Sequence, residues 1–411
     1  MTDWSSRLAK RGRKLKPSAI RQTAKFAAEP GVISFASGSP NPGLFPYEAM
    51  ARVTAEIMAD PARRAQALQY AGSEGYLPLR ELIVEHLEEA GARAAVENIV
   101  ITNGSQQGLE FVAKLLIDPG DRIVVTNPTY LGALQAFDLF EPVYAGVGLD
   151  PSGIDLAALE REFRAGAKFM YLMPDFGNPS GVTLPLEQRR AILELSRRHG
   201  VPILEDQAYE QLRFTDERLP SMLALDAERG DDGTVIHAGT FSKTLVPGLR
   251  VGWLAAPRPA AEKLVFLKQA SDLQSGSLNQ MIVHGVARAI FDEQVPMLRA
   301  AYRGRRDAVL GALRRHMPQS VTWNEPKGGM FVWLTLPPPL DATAVQARAV
   351  EEKVVFVPGA PFFADGSGTG TLRLSFSSVA EDAIGEGVER LARAIRASLS
   401  AANGERAQAF G

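Results

Sequence analysis

At 411 residues the chain exceeds what one hydrophobic core usually organises, and its 45% hydrophobic and 22% charged residues are those of a folding globular protein, so peptide scaffolds and disorder are excluded. Lys plus Arg (45) nearly balance Asp plus Glu (47), so no global charge draws the protein to nucleic acid or an anionic membrane, and a small-molecule partner is expected. With no cysteine there is no disulfide, zinc–thiolate or iron–sulfur site, and the five histidines stand singly, so no metal centre is expected.

The basic cluster Arg7, Lys10, Arg11, Arg13, Lys14 and Lys16 has no apolar segment behind it and reads as a solvated N-terminal arm. No apolar run reaches the ~18–20 residues needed to span a bilayer, so a cytoplasmic protein is expected. From about residue 98 to 255, short β-branched runs (NIVIT, RIVVT, KFMYLM, PILED, TVIHAGT, RVGWLAA) alternate with longer helix-period stretches. That alternation predicts an α/β fold with a mostly parallel central sheet. After residue 257 two long helical patterns run to about 315. Shorter strands in GGMFVWLTL, VVFVPG and TLRLSFS then predict a second, smaller α+β domain. A last helix is expected from about Glu381 to Ala401, with the tail NGERAQAFG frayed.

Open parallel sheets bind ligands at the carboxyl ends of their strands, so each strand end is a candidate. Asn103-Gly104-Ser105-Gln106 opens a helix and suits an anion at exposed N–H groups, or else Ser105 is a plain N-cap. Tyr130, in Asn127-Pro128-Thr129-Tyr130, can stack on a planar ligand or simply cover the sheet edge. Asn178 sits before Pro179 in a loop rigid enough to aim one amide, or in an ordinary turn. Asp206, ending an apolar strand with Tyr209 three residues on, needs a cationic or hydrogen-bonding partner. In Thr240-Phe241-Ser242-Lys243 through Arg250, Lys243 can serve as a nucleophilic amine and Arg250 as a bidentate phosphate clamp. Together these are the needs of pyridoxal 5′-phosphate: an anion cradle, a stacking face, a hydroxyl donor, a carboxylate for a pyridinium nitrogen and an amine for an aldehyde.

The blocks PSAIR, QYAGSEGYLPLRE, TNGSQQGLE, NPTY, PDFGNPSG, EDQAYEQLRF, TFSKTLVPGLRVGW, GGMFVWL, VPGAPFF and LRLSFS follow one another along nearly the whole chain. In this order they resemble the fold-type I pyridoxal-phosphate aminotransferases of class I/II, closest to the group of 2-aminoadipate, kynurenine and broad-range aromatic or branched-chain transaminases. The resemblance implies a large cofactor-binding domain over residues 46–300. A small α+β domain over 301–411 would be joined by an N-terminal arm and helix over 1–45. It implies that Lys243 is the Schiff-base lysine and proton shuttle, and that Ser105, Gln106, Thr240, Ser242 and Arg250 hold the phosphate, helped by Tyr70 from a neighbouring subunit of a homodimer. It further implies that Tyr130 stacks on the ring, that Asn178 and Tyr209 bond its O3′, that Asp206 partners the pyridinium, and that Arg373, with Asn178 and Gly38, binds the substrate α-carboxylate. Arg21 matches an arginine that meets a distal carboxylate; a solvated or locally paired arginine is the other reading.

Ser37 and Gln207-Ala208 depart from the family pattern on the substrate side. The activity expected is amino transfer from 2-aminoadipate, aromatic or branched-chain amino acids to a 2-oxo acid, chiefly 2-oxoglutarate, by a ping-pong route. A lyase on the same fold is the alternative. An aminotransferase-like regulatory module fits poorly, since about 30 residues precede SFASGSP, and a nicotinamide enzyme lacks its GxGxxG.

Overall fold

The computed structural model describes residues 2–15, 25–27, 29–228 and 233–409. In chain order the strands among them are β1 Ile33–Ser34, β2 Ile99–Thr102, β3 Arg122–Asn127, β4 Val143–Asp150, β5 Gly153–Ile154, β6 Met170–Leu172 and β7 Ile203–Asp206. They continue with β8 Val235–Thr240, β9 Gly252–Ala255, β10 Thr322–Trp323, β11 Phe331–Thr335, β12 Val354–Val355, β13 Val357–Pro358 and β14 Thr371–Ser375. An eight-stranded sheet has the order β2-β9-β8-β7-β6-β3-β4-β5. Its centre, from β8 through β4, is parallel, while β9 and β5 run antiparallel to their neighbours.

The composition of each strand explains its place. β2, β6, β7 and β8 are buried along their whole length, as expected for a parallel sheet covered by helices on both faces. The covering helices carry ordinary stop and start signals. Asp155 caps Leu156–Arg164 by accepting from the Ala158 N–H, and Leu186–His199 ends in Gly200 with left-handed backbone after a basic last turn.

A four-stranded antiparallel sheet, β10-β11-β14-β13, forms the second layer system, and β1 pairs in parallel with β12 beside it. The 40-residue helix Ser277–His316 joins the two regions. Its first half packs Met281, Val283 and Val286 with Val53, Ile57 and Leu82, and its second half packs Leu298, Val309 and Leu313 with Val388, Leu391 and Ile395.

Two features differ from expectation, and the strand order is one on which the sequence carried no expectation. β1, β4, β5 and β10 were not among the predicted strands; Gly146 and Gly148 erase the side-chain alternation of β4 that would have marked it. The strand order separates β2 from β3, which follow each other in sequence, by four other strands. The tail expected to fray continues the last helix, Ile384–Ala409, because extending a formed helix through residues such as Glu405, Arg406 and Ala407 costs far less than starting one. No helix among the described residues is long and apolar enough to cross a membrane.

Candidate active site

β8 is antiparallel to β9 and β9 to β2, so β2 points the same way as β6, β7 and β8. Their carboxyl ends therefore share one edge of the sheet. There, a cavity of about 130 Å³ is lined by Ser105, Gln106, Tyr130, Asp206, Tyr209, Thr240, Ser242, Lys243 and Arg250, together with Met173, Ala208 and Pro247.

Lys243 Nζ lies 3.4 Å from the Gly38 carbonyl oxygen and 5.6 Å from the centre of the Tyr209 ring. Burial pushes its pKa down to about 8; Arg250 and Arg373 add to the depression and Asp206 opposes it. An amine so poised is free to act as a nucleophile or base near neutral pH.

Asp206, the last residue of β7, is 2% exposed. The Tyr171 hydroxyl donates to its Oδ2 at 2.9 Å, while Oδ1 is buried without a hydrogen-bond partner. Burial lifts this carboxyl to about 6 even though Tyr171, His237 and Lys243 favour the ionised form. A buried acceptor left open costs on the order of 1–3 kcal/mol, which a cationic N–H donor would recover. The opening fits a protonated ring nitrogen.

Other lining residues offer hydrogen-bond donors and a cation of the kind that suits an anion. Gly104, with φ +77, turns the chain from β2 into the helix Ser105–Leu116. A Cβ there would stand 2.3 Å from Arg250 Nη2, so only glycine allows the arginine to lie against the loop. Arg250 itself is left-handed (φ 54) and donates to the carbonyls of Pro247 at 3.1 Å and Asn103 at 3.3 Å. Thr240 Oγ1 donates to Ser242 Oγ (2.9 Å) and accepts from the Ser242 N–H (3.1 Å), and Gln106 Nε2 donates to the Gly132 carbonyl at 2.6 Å. Behind the loop, buried Lys268 donates to Gln107 Oε1 and both Asp272 oxygens, and Asp272 Oδ2 accepts from Asn103 and Gln107.

Arg373, in β14, is 1% exposed. It donates to Asn178 Oδ1 (2.8 Å) and to the Ala36 carbonyl (2.6 Å), and its guanidinium lies 4.5 Å from the Phe331 ring centre and 5.2 Å from that of Phe362. Its Nε is buried and unpartnered, and burial lowers its pKa only to about 10, so it stays cationic at neutral pH. A Cβ on Gly38 would come within 3.1 Å of the Phe331 ring and 4.0 Å of Arg373 Nη1. The Ser37 hydroxyl is taken up locally, accepting from the Ser39 N–H.

Gln207 also has a structural explanation. Its Nε2 donates to Asp175 Oδ2 (2.8 Å) and Glu205 Oε1 (3.0 Å), bridging the loop that carries Asn178 to the strand that carries Asp206. Asp175 is further held by fully buried Arg189, and Glu205 by His237 and the N–H groups of Met222 and Leu223. The sequence reading missed Tyr171, Phe331 and Phe362. The available signal was a tyrosine inside an apolar strand, whose hydroxyl needs a partner when buried. Tyr70 does not line this cavity: it is 78% exposed. Arg21 lies outside the described residues. Among the described residues no group of acids and histidines could hold a metal ion.

The model of the family described as aminotransferase class I and II matches residues 30–391. The chain is 43% identical to a 2-aminoadipate transaminase of Thermus thermophilus over 97% of this chain and 98% of that protein. It is 38% identical to aromatic-amino-acid aminotransferase 1 of Thermococcus litoralis, over 97% and 96%. An alpha-aminoadipate aminotransferase from Thermus thermophilus, solved with N-(5′-phosphopyridoxyl)-L-leucine, superposes with a TM-score of 0.90 at 42% identity, covering 97% of this chain and 100% of that one.

Proposed function

We propose, from the premise that the chain belongs to the aminotransferase family of class I and II, that this pyridoxal-phosphate-dependent transaminase takes its amino group from 2-aminoadipate or from larger aromatic and branched aliphatic amino acids and delivers it to 2-oxoglutarate. The observation that carries the reading is one cavity holding both the near-neutral amine of Lys243 and the carboxyl end of β7, whose Asp206 has an open buried oxygen. The relatives' names support the donor range.

Pyridoxal phosphate, when bound, supplies an aldehyde that takes up amines and a ring that accepts the electron pair left at a substrate Cα. In the roles we propose, Lys243 engages the aldehyde and then moves the proton at Cα, and Asp206 holds a proton at the ring nitrogen. Tyr130 packs on the ring, while Asn178 and Tyr209 hold its hydroxyl oxygen. Ser105, Gln106, Thr240, Ser242 and Arg250 bind the phosphate in a pocket that offers N–H, O–H and guanidinium donors. Arg373 takes the substrate α-carboxylate on its fork, beside Asn178 and the bare backbone of Gly38, and Arg21 meets a distal carboxylate. Ping-pong turnover follows from one site serving donor and acceptor in alternation.

We further propose a cytoplasmic homodimer whose cradle is completed by Tyr70 of the partner subunit. Exposure of Leu68, Tyr70 and Leu77, large apolar side chains close together in sequence, supports a partner there. Mixing Lys243→Ala with Tyr70→Phe subunits should then restore activity that neither variant has alone.

The test is the visible spectrum of the purified protein with pyridoxal phosphate. The cofactor band should convert to the amine form with 2-aminoadipate, leucine, phenylalanine or kynurenine and return with 2-oxoglutarate. Release of ammonia without that return would point to a lyase, and a protein that takes up no pyridoxal phosphate would overturn the reading.

A further inference from the structure

Asp206 is held from behind by one residue with no counterpart among the cavity-lining groups. Tyr171 lies in β6, paired in register with Leu204 of β7, so its side chain emerges on the face that also carries Asp206 two residues further on. Its ring is fully buried and stands edge-on to Phe137 at 5.5 Å, which fixes the direction of the hydroxyl. That hydroxyl reaches Oδ2 of Asp206 at 2.9 Å, while Oδ1 has no partner. The two carboxylate oxygens are therefore not equivalent.

We propose that Tyr171 is a positioning residue that occupies Asp206 Oδ2, turns Oδ1 toward the cofactor and keeps the shared proton on the ring nitrogen. The inference rests on the transaminase reading above and extends it to a residue that does not line the cavity. Relative proton affinity decides which partner keeps the proton. A donor bonded to a carboxylate stabilises its charge, so the carboxylate competes less well for a proton on a neighbouring nitrogen. Burial raises the Tyr171 phenol well above its ordinary range, so it stays a donor at any working pH. The other groups that act on Asp206 are the Ala208 backbone N–H and the side chains of His237, Lys243, Tyr130 and Tyr209, with Arg373 beyond them. None of these makes a direct side-chain hydrogen bond to it among the described residues, since His237 is turned to Glu205 at 2.9 Å. Without the phenol, Asp206 would draw the proton off the ring nitrogen, and a neutral ring withdraws electrons from Cα less strongly.

The experiment uses the holoenzyme with pyridoxal phosphate labelled with ¹⁵N in the ring. Tyr171→Phe removes one oxygen and keeps the packing against Phe137. The ¹⁵N resonance of the variant should move toward the neutral-ring position, and the first half-reaction with an amino donor should slow about tenfold or more. In an Asp206→Asn background the same change should have no further effect, since both act through one contact. Replacing Tyr171 by 4-aminophenylalanine, which keeps a donor at similar reach, should leave the resonance at its wild-type position, and this variant decides the matter if Tyr171→Phe does not fold. An unmoved resonance in folded Tyr171→Phe, a moved one in the 4-aminophenylalanine variant, or effects that multiply with Asp206→Asn would overturn the proposal. Wild-type protein that binds no pyridoxal phosphate would instead overturn the transaminase reading on which it rests.

Discussion

Arg373 and Asn178, 195 positions apart in the chain, meet at 2.8 Å, with the guanidinium of one donating to the amide oxygen of the other. Arg373 comes from β14 of the small sheet and Asn178 from the loop after β6 of the large one. The contact joins the two sheets at the point where substrate and cofactor would meet. The guanidinium is also committed to the Ala36 carbonyl, so residues from three separate regions of sequence converge on one cation.

Replacing Arg373 by lysine tests that convergence. A lysine keeps the charge but cannot donate to Asn178, Ala36 and a carboxylate at once, nor stack between Phe331 and Phe362. Losing one charged hydrogen bond costs about 1.5–3 kcal/mol, so kcat/KM for any amino donor should fall by roughly 10- to 100-fold. Steady-state kinetics on two donors of different side chain check this: the loss should be similar for both, because the α-carboxylate is common to them.

Much of this was legible in the sequence, and the reason differs between parts. The residues that end β2, β7 and β8 were legible because polar groups after buried apolar runs must find partners, and all of those runs end at one edge. Contacts made sideways across the sheet left no mark. Tyr171 reads as one more apolar strand residue until the β6–β7 register sets it beside Asp206. Gln207 looked like a departure from the family pattern, whereas it bridges two carboxylates, Asp175 and Glu205, that are 30 residues apart in sequence. β4 was hidden for a local reason: a Cβ at position 146 would stand 2.2 Å from the Asn127 amide, so close packing demands the glycine that hides the strand.

Burying Asp206 costs the apoprotein stability. Its carboxyl is raised from 3.8 to about 6, so between those values the folded apoprotein binds more protons than the unfolded chain. Apoprotein stability therefore declines as pH rises through that window, and the full penalty, on the order of 3 kcal/mol at most, is present above about pH 6. Asp206→Asn should raise the apoprotein Tm at pH 8 and lose most of the Tm gain that pyridoxal phosphate gives the wild type. Thermal unfolding of both proteins, with and without cofactor, checks both halves.

For Lys243 the sign is opposite. Its pKa falls from 10.5 to about 8, so between these values the unfolded chain binds the extra proton and apoprotein stability rises with pH. The same shift governs cofactor capture, since only the neutral amine attacks an aldehyde. The second-order rate of pyridoxal phosphate uptake by apoprotein should climb nearly tenfold per pH unit below about 8 and level off above it. Stopped-flow absorbance from pH 6.5 to 9.5 reads it, with Lys243→Ala as the variant that captures nothing covalently.

Gly104→Ala should weaken the cofactor through its phosphate alone. The residue has φ +77, and an added Cβ would lie 2.3 Å from Arg250 Nη2 and 2.8 Å from its Cζ, so either the loop or the arginine must move. Because Arg250 is tied to the Asn103 carbonyl in that same loop, moving one displaces the other. Disturbing one charged contact to phosphate costs about 1.5–3 kcal/mol, a rise of roughly 10- to 100-fold in the Kd for pyridoxal phosphate. Gly248→Ala is the control two residues from Arg250, since a Cβ there meets nothing within 4 Å. Titrating apoprotein with pyridoxal phosphate and with unphosphorylated pyridoxal separates cause from consequence. The Gly104 variant should lose affinity for the first and keep it for the second, whereas a general loosening of the site would weaken both.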